Sequence, residues 1–240
     1  MLFEIEERKP KKIPFIERVK PFILSARPKV RTYFGAPQAA LGELLSRVGI
    51  GACVSPTTKK HFDSYAFYFL DNGAFRCWKM GKPFDEKAFF SLIELSLKAE
   101  KQADFLVLPD KVGKGRESLE FSSHYAERLK GTGIPFALAL QDGMEEKEVA
   151  EFVKTYGVKV LFIGGTTEWK WRTAPEWKRL ADRLGVKCHL ARVPSARRVI
   201  QARKIGVDSV DTTAVLWEER KMIPYLRALS ARIGEQPCLL

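Results

Sequence analysis

From residue 30 onwards, the chain repeats one pattern of hydrophobic and polar positions. A short run of β-branched or aromatic residues is followed by a turn and then by a longer segment with helical periodicity. Short apolar runs bounded by turns are typical of buried strands, and a spacing of three to four residues is typical of amphipathic helices. The alternation of the two predicts consecutive βαβ units, which build parallel sheets.

The pattern predicts eight strands, at residues 31–34, 50–54, 65–70, 104–108, 135–140, 159–163, 187–191 and 207–210. It also predicts seven helices, at residues 38–47, 85–101, 116–130, 145–156, 174–184, 195–204 and 218–232. Eight strands that alternate with helices favour a single-domain (β/α)8 TIM barrel over an open doubly wound sheet. We therefore expect one barrel domain over residues 31–240.

The first 30 residues do not follow this pattern. They alternate basic side chains with four prolines, Pro10, Pro14, Pro21 and Pro28. Proline interrupts regular structure because it lacks a backbone N–H donor. We expect a basic N-terminal arm over residues 1–30.

Composition narrows the class of protein. With 240 residues, 45% of them hydrophobic, the chain is long enough for one large core. It contains no apolar run near the ~20 residues of a membrane span, and residues 1–12 are charged and lack the apolar core of a secretory signal. These features predict a cytoplasmic protein.

Cysteine and histidine spacing argues against a structural metal. The four cysteines form no Cys-x-x-Cys pair, and the three histidines show no ligand spacing. We interpret His189 as a barrel or loop histidine and expect neither a metal site nor disulfides.

The net charge of +12 is unevenly distributed. Residues 1–31 contain nine basic and four acidic side chains, and residues 168–204 contain eleven and three. A concentrated basic surplus favours nucleic acid as a partner over a merely solvated basic face.

Polar residues stand at the predicted C-terminal ends of the strands, which is where TIM barrels carry their active sites. They are Asp71, Asn72 and Gly73 after the third strand, Asp110 after the fourth, Gln141 and Asp142 after the fifth, Gly164 and Gly165 after the sixth, Arg192 after the seventh and Asp211 after the eighth. Turn formation explains each one singly. Together, four acids, two amides and a glycine pair at one rim favour a site.

The sequence excludes several chemistries. It has no His-x-His, no Gly-x-Gly-x-x-Gly, no phosphate-binding Gly-Lys-Ser or Gly-Lys-Thr and no cluster-binding cysteine motif. Carboxylate chemistry remains, and two carboxylates that face a sugar are able to break a glycosidic bond.

These residues resemble the tRNA-guanine transglycosylases, and especially their shorter relatives that insert 7-deazaguanines into DNA. Residues 71–76, Asp-Asn-Gly-Ala-Phe-Arg, are similar to the family's Asp-Ser-Gly-Gly-Phe-Gln motif. Residues 206–211, Gly-Val-Asp-Ser-Val-Asp, match its Gly-x-Asp-x-Phe-Asp motif, and residues 190–194 correspond to the segment before it. The resemblance covers roughly residues 31–216.

The resemblance implies base exchange through a covalent intermediate, without a metal or redox cofactor. Asp211 would attack C1′ of the target nucleoside and expel guanine. Asp71 would be the general acid and base that deprotonates the incoming 7-deazaguanine, of the preQ0 type. Asp208, on the same predicted strand, is expected to point into the barrel or to the opposite side of the strand.

The resemblance also implies a base pocket. Asp110 and Gln141 would read the base edge, Gly164 and Gly165 would lie against the base, and Phe75 would flank the pocket.

Other positions are predicted to hold the polymer. Trp169 is a candidate for stacking, although packing of Trp169 and Trp171 over the barrel rim is the alternative. Candidate phosphate contacts are Lys170, Arg172, Arg192, Arg197 and Arg198, with a solvated helix start as the alternative for the last two.

Departures from the family pattern bear on the substrate. The zinc-binding Cys-x-Cys-x2-Cys motif has no counterpart here, which favours DNA over tRNA, and Ala74 and Arg76 replace the family's glycine and glutamine. Three alternatives remain open: a tRNA-guanine transglycosylase, a non-catalytic nucleic-acid-binding barrel, and a small-molecule enzyme with a phosphate site at Gly164 and Gly165.

Overall fold

The computed structural model describes residues 14–58 and 60–232. Eight parallel strands close into a barrel in sequence order, and β1 pairs with β8 to complete the ring. The strands are β1 Arg31–Gly35, β2 Ile50–Val54, β3 Tyr68–Leu70, β4 Leu106–Val107, β5 Phe136–Leu140, β6 Val160–Ile163, β7 Lys187–Leu190 and β8 Ser209–Thr212. The predicted (β/α)8 architecture is confirmed.

Helices cover the outside of the barrel. They are α1 Phe15–Ser25, α2 Ala39–Ser46, α3 Ala74–Lys79, α4 Glu86–Leu97, α5 Gly115–Arg128, α6 Glu146–Tyr156, α7 Thr167–Leu184, α8 Ala196–Ile205 and α9 Glu219–Ser230, with a short 3-10 helix at Phe62–Ser64. None of the helices within residues 14–58 and 60–232 has the length and apolarity that a membrane span requires.

Alternation along the strands separates two cores. Successive strand residues point to opposite faces, so every second residue points into the barrel. The large outer core lies between the strands and the helices. The smaller inner core fills the barrel with Tyr33, Phe69, Phe105, Val107, Ala137, Ala139, Val160, Phe162 and Ala191. A filled barrel leaves room for chemistry only at its ends, and the loops after the strands form the end that we call the mouth.

The prediction of an arm over residues 1–30 is wrong for the part that forms helix α1, Phe15–Ser25. Helix α1 packs against α9, with Val19 and Ile23 fully buried, and Arg18 forms an ion pair of 2.7 Å with Glu219. Pro21 is accommodated inside α1. Burial of its apolar face explains the helix, since tertiary packing outweighs a weak intrinsic propensity. Residues 1–13 of the expected arm lie outside the described residues.

Three boundaries near the mouth differ from the predictions. Helix α3, six residues long, was not predicted, and α7 begins at Thr167 rather than at residue 174. The first turns of α7 are fixed by buried Trp169, Lys170 and Trp171, a packing effect that periodicity does not reveal. Strand β8 begins and ends two residues later than predicted, which places Asp211 inside it.

Candidate active site

The mouth brings together most of the polar residues predicted at the strand ends. The carboxylates of Asp211 and Asp110 both act on Asp71 electrostatically. The charge of Arg192 interacts with Asp211, Asp110, Asp71 and Asp142. Four carboxylates and one guanidinium therefore share a single site.

Asp211 is held through one of its two carboxylate oxygens. Its Oδ1 lies 2.9 Å from His189 Nε2 and accepts a hydrogen bond of 3.0 Å from the backbone N–H of Arg192. Its Oδ2 accepts no hydrogen bond from any of the described residues. Only 5% of Asp211 is exposed. One oxygen thus fixes the carboxylate, and the other has no hydrogen bond to the described residues.

His189 is the functional candidate that the sequence reasoning missed. It is fully buried in β7, and its ring stacks on Phe162 with centroids 4.7 Å apart. Its Nδ1 lies 2.8 Å from Ser209 Oγ and its Nε2 faces Asp211. An ionised Asp211 requires the proton on Nε2, so the Ser209 hydroxyl then donates to Nδ1. Of the two expected positions, barrel or loop, the barrel is right, and from there His189 holds the Asp211 carboxylate.

Asp71 lies directly after β3, close enough to Asp211 for the two carboxylates to repel each other. Its Oδ2 accepts a hydrogen bond of 3.2 Å from the backbone N–H of Gly73. Burial, together with the charges of Asp211 and Asp110, raises the pKa of Asp71 to about 7. Gly73 has a φ of 80°, a left-handed conformation that glycine adopts without strain, and α3 begins at the next residue.

Asp110, Asn72 and Gln141 form one hydrogen-bonded cluster. Asp110 accepts from Asn72 Nδ2 at 2.6 Å and from Gln141 Nε2 at 2.7 Å. Asn72 Oδ1 accepts from the Ala74 N–H, and Gln141 Oε1 accepts from the Gly113 N–H. Burial raises the pKa of Asp110 to about 6. The three side chains are held rigidly and retain unused donors and acceptors for a ligand.

The glycine pair has a packing role in this cluster. A Cβ on Gly164 would lie 2.9 Å from Gln141 Nε2, and a Cβ on Gly165 would lie 2.4 Å from the Trp169 ring. The Gly164 N–H donates to the Leu140 carbonyl. Gly164 thus lies against the Gln141 side-chain amide, and its own backbone N–H is already occupied.

Arg192 spans the mouth. Its guanidinium donates to the carbonyls of Gly164 and Gly165 and stacks over Phe75, 4.0 Å from the ring centroid. Its φ of 52° is the one positive value outside glycine among the described residues, and strain of this kind concentrates at functional sites. The predicted phosphate contact is therefore part of the wall of the pocket.

Lys170 does not hold phosphate, which corrects the prediction. Only 1% of it is exposed, and its Nζ donates to the carbonyls of Ala191 and Arg192. Burial, together with the charge of Arg192, lowers the pKa of Lys170 to about 7. Lys170 instead fixes the backbone that presents the Arg192 N–H to Asp211.

The aromatic predictions nearby also need correction. Trp169 and Trp171 are buried in the outer core, so the packing alternative is right and Trp169 offers no stacking surface. Arg198 lies over the Trp171 ring, 4.5 Å from its centroid, and donates to Gln201. The remaining phosphate candidates, Arg172 and Arg197, are exposed.

Asp208 lies at the opposite end of the barrel from Asp211. It precedes β8 and pairs with Lys178 at 3.2 Å and Lys187 at 3.3 Å, while the Cys188 N–H donates to it at 2.9 Å. These partners outweigh burial and lower the pKa of Asp208. Of the two orientations expected, the one into the barrel is wrong.

Cys53 is a second residue that the sequence reasoning missed. It follows the inward alternation of β2 and packs on the inner core. Burial raises the pKa of the Cys53 thiol well above its ordinary value, and the charges of Asp71 and Asp211 act in the same direction. A neutral thiol therefore lies beside both proposed catalytic carboxylates.

Within the part of the chain that the structure describes, no group of three or more His, Cys, Asp or Glu side chains is arranged to hold a metal ion.

Comparisons with known proteins bear on the fold. No protein-family model matches the chain, and no curated protein matches it. A solved mandelate oxidase, a tyrosine-to-phenylalanine mutant with the monooxide FMN adduct, is similar with a TM-score of 0.54 and 13% identity, over 83% of this chain and 70% of that chain. Identity this low shows the shared barrel alone, a fold that hosts many unrelated enzymes.

Proposed function

We propose that this protein is a base-exchanging transglycosylase that replaces guanine in DNA with a 7-deazaguanine. The observation that carries the proposal is the asymmetry of Asp211, whose Oδ1 takes two hydrogen bonds while Oδ2 takes none from the described residues. A nucleophilic carboxylate needs this arrangement, with one oxygen fixed and one directed at the substrate.

In the first half of the reaction, Asp211 Oδ2 attacks C1′ and the C1′–N9 bond breaks. The bonding electrons leave with guanine, which takes a proton from Asp71. The raised pKa of Asp71, about 7, keeps a large fraction of this carboxyl protonated near neutral pH. The products are an aspartyl ester of the sugar and free guanine.

In the second half, the 7-deazaguanine occupies the same pocket. Ionised Asp71 takes the proton from its ring nitrogen as that nitrogen attacks C1′, and Asp211 leaves as a carboxylate. The proton that guanine removed is thereby returned, so the enzyme needs no outside acid or base. Two carboxylates whose environments differ are what such a division of roles requires.

The cluster around Asp110 supports recognition of guanine. The Watson–Crick edge of guanine presents N–H donors beside the O6 acceptor. The carboxylate of Asp110 accepts from donors, and the second amide hydrogen of Gln141 is free to donate to O6. Phe75, fixed under the Arg192 guanidinium, supplies an apolar wall.

Two features bear on the alternatives. The Gly164 N–H is occupied by Leu140, and the Asp142 carboxylate accepts from Thr166 N at 2.8 Å, so the glycine pair presents a carboxylate where a phosphate site needs free donors. This argues against the small-molecule phosphate enzyme. The basic excess of residues 168–204 supports a nucleic-acid substrate, with DNA favoured and tRNA as the alternative.

The test is incorporation of labelled guanine, and separately of a labelled 7-deazaguanine, into duplex DNA, single-stranded DNA and tRNA. We expect incorporation into DNA that Asp211→Ala abolishes and Asp208→Ala retains, a matched control because Asp208 directly precedes the strand that contains Asp211. Incorporation only into tRNA would select the alternative polymer. Incorporation at the wild-type rate by Asp211→Ala would refute the proposed nucleophile.

A further inference from the structure

The exposed aromatic side chains of the molecule are concentrated at the mouth. Within residues 14–58 and 60–232, three aromatic residues are exposed: Phe75 at 36%, Trp78 at 55% and Trp217 at 68%. Phe75 and Trp78 lie on α3, directly after the Asp71 loop, and Trp217 lies in the loop after β8, which contains Asp211. The two tryptophans therefore flank the two proposed catalytic carboxylates.

Trp78 also lines a groove that leads to the base-reading cluster. This groove, which we call the Trp78 groove, has a volume of about 490 Å³ and includes Asp110 in its wall. Its basic lining residues are Lys82, Lys111 and Lys114. The groove thus joins an exposed aromatic ring to the position proposed for the target base.

The charge of this region suits a polyanion. Residues 76–82, Arg-Cys-Trp-Lys-Met-Gly-Lys, contain three basic and no acidic side chains, and all three are exposed. Besides Asp110, which belongs to the base-reading cluster, the carboxylates in the Trp78 groove are each paired, Glu86 with Arg128 and Glu117 with Lys111 at 3.8 Å. An apolar ring between cations is the combination that binds an unstacked base together with its phosphates.

We propose that the Trp78 groove and Trp217 bind single-stranded nucleic acid on the two sides of the target nucleotide. Each indole stacks on a base next to the target, and Lys79, Lys82 and Lys114 contact phosphates. This inference rests on the proposed function for the position of the target, and it adds that the preferred substrate is single-stranded or locally opened. A duplex keeps its bases stacked on one another and does not offer them to the tryptophans.

The decisive measurement is fluorescence anisotropy with a labelled single-stranded oligonucleotide that contains one central guanine, alongside the same sequence as a duplex. We expect Trp78→Ala and Trp217→Ala each to weaken single-strand binding about tenfold. Trp78→Phe and Trp217→Phe should recover most of the affinity, because a phenyl ring still stacks. The matched controls are Leu95→Ala and Leu97→Ala, exposed side chains in the last turn of α4, which should bind as wild type.

Salt dependence separates stacking from charge. The alanine variants of the tryptophans should keep the wild-type slope of log affinity against log salt, whereas Lys82→Ala should reduce that slope by about 1.

Three results would overturn the proposal that the Trp78 groove and Trp217 bind single-stranded nucleic acid. The first is wild-type affinity in the variant with both tryptophans replaced by alanine. The second is equal binding of duplex and single strand. The third is a dimer that those two substitutions convert to a monomer, which would make the patch a self-association surface.

Binding that needs both tryptophans, without any base exchange by wild type, would support the binding surface and refute the proposed transglycosylase activity. Normal exchange by the double variant would do the reverse.

Discussion

The two ends of the barrel treat the same side chain in opposite ways. At the N-terminal end, Asp104 pairs with Arg31 at 2.6 Å and accepts from the Tyr33 hydroxyl at 2.7 Å, and Asp208 has two lysine partners. At the mouth, Asp71 and Asp110 have no ion-pair partner among the described residues, and burial raises the pKa of both.

The presence or absence of a cationic partner separates the carboxylates that stabilise the fold from those at the mouth. An aspartate that is paired with cations keeps its charge and stabilises the native state. A buried aspartate beside other carboxylates has a pKa raised towards neutral pH, and its burial lowers the stability of the native state. An ion-pair partner in direct contact with Asp71 would lower its pKa further than the charge of Arg192 does, and Asp71 would then stay ionised near pH 7.

Replacing the proton donor at the mouth should have the largest effect. We expect Asp71→Asn to slow guanine release from DNA by about 10²- to 10⁴-fold, because an amide cannot transfer a proton. Release is measured as labelled guanine freed in a single turnover. Asp104→Asn, at the opposite end, should leave that rate within about threefold, and an equal loss in both variants would end the contrast.

The pH dependence of the same step should report the raised pKa of Asp71. Release needs the protonated carboxyl, so its rate should fall about tenfold per pH unit above about 7 and level off below it. A profile that stays flat up to pH 9 would show that no group with this pKa controls release.

Replacing His189, which holds the Asp211 carboxylate, should have an intermediate effect on catalysis. His189→Phe keeps the stacking on Phe162 but removes the hydrogen bond to Oδ1, and we expect kcat to fall about 10- to 100-fold with little change in KM. His189→Gln should recover part of this loss, since its amide is able to donate. Equal kcat in the two variants would mean that the histidine only fills space.

The paired aspartate should affect stability alone. Asp208→Asn is expected to lower the free energy of unfolding by about 1–2 kcal/mol at pH 7, with base exchange unchanged. Because the pKa of Asp208 is lowered in the folded state, its contribution is full above about pH 4 and is lost as pH falls through the folded value. Denaturant unfolding of both proteins at pH 7 and pH 3 should therefore show the gap closing.

The sequence predicted the fold well because its evidence is local. Apolar runs such as residues 50–54 and 136–140 are long enough to identify strands, and the order of the strands in a barrel then follows from their alternation with helices. The rim position of Asp71, Asp110 and Gln141 follows in turn, since Asp71 and Gln141 come directly after strands and Asp110 comes three residues after one. Helix α3 escaped prediction because six residues of mixed polarity carry no periodicity.

Side-chain partners were beyond the same reasoning. The pairing of His189 with Asp211 depends on the register of β7 and β8, in which His189 lies opposite Ser209. The inward alternation of residues 189, 191, 209 and 211 was the available signal. The burial of Lys170 had no such signal, because a lysine in a basic segment looks the same whether its amine faces phosphate or a backbone carbonyl.

The different hydrogen bonding of the two Asp211 oxygens affects every step of the proposed catalytic cycle. In the proposed ester, the sugar is attached to Oδ2, so Oδ1 becomes the carbonyl oxygen and still faces the same two donors, His189 and the Arg192 amide. Neither forming nor cleaving the ester then requires the side chain to rotate. The same two contacts hold Asp211 in the free enzyme and in the proposed intermediate. Within this scheme, one base leaves and the other enters while the Asp211 side chain stays in place.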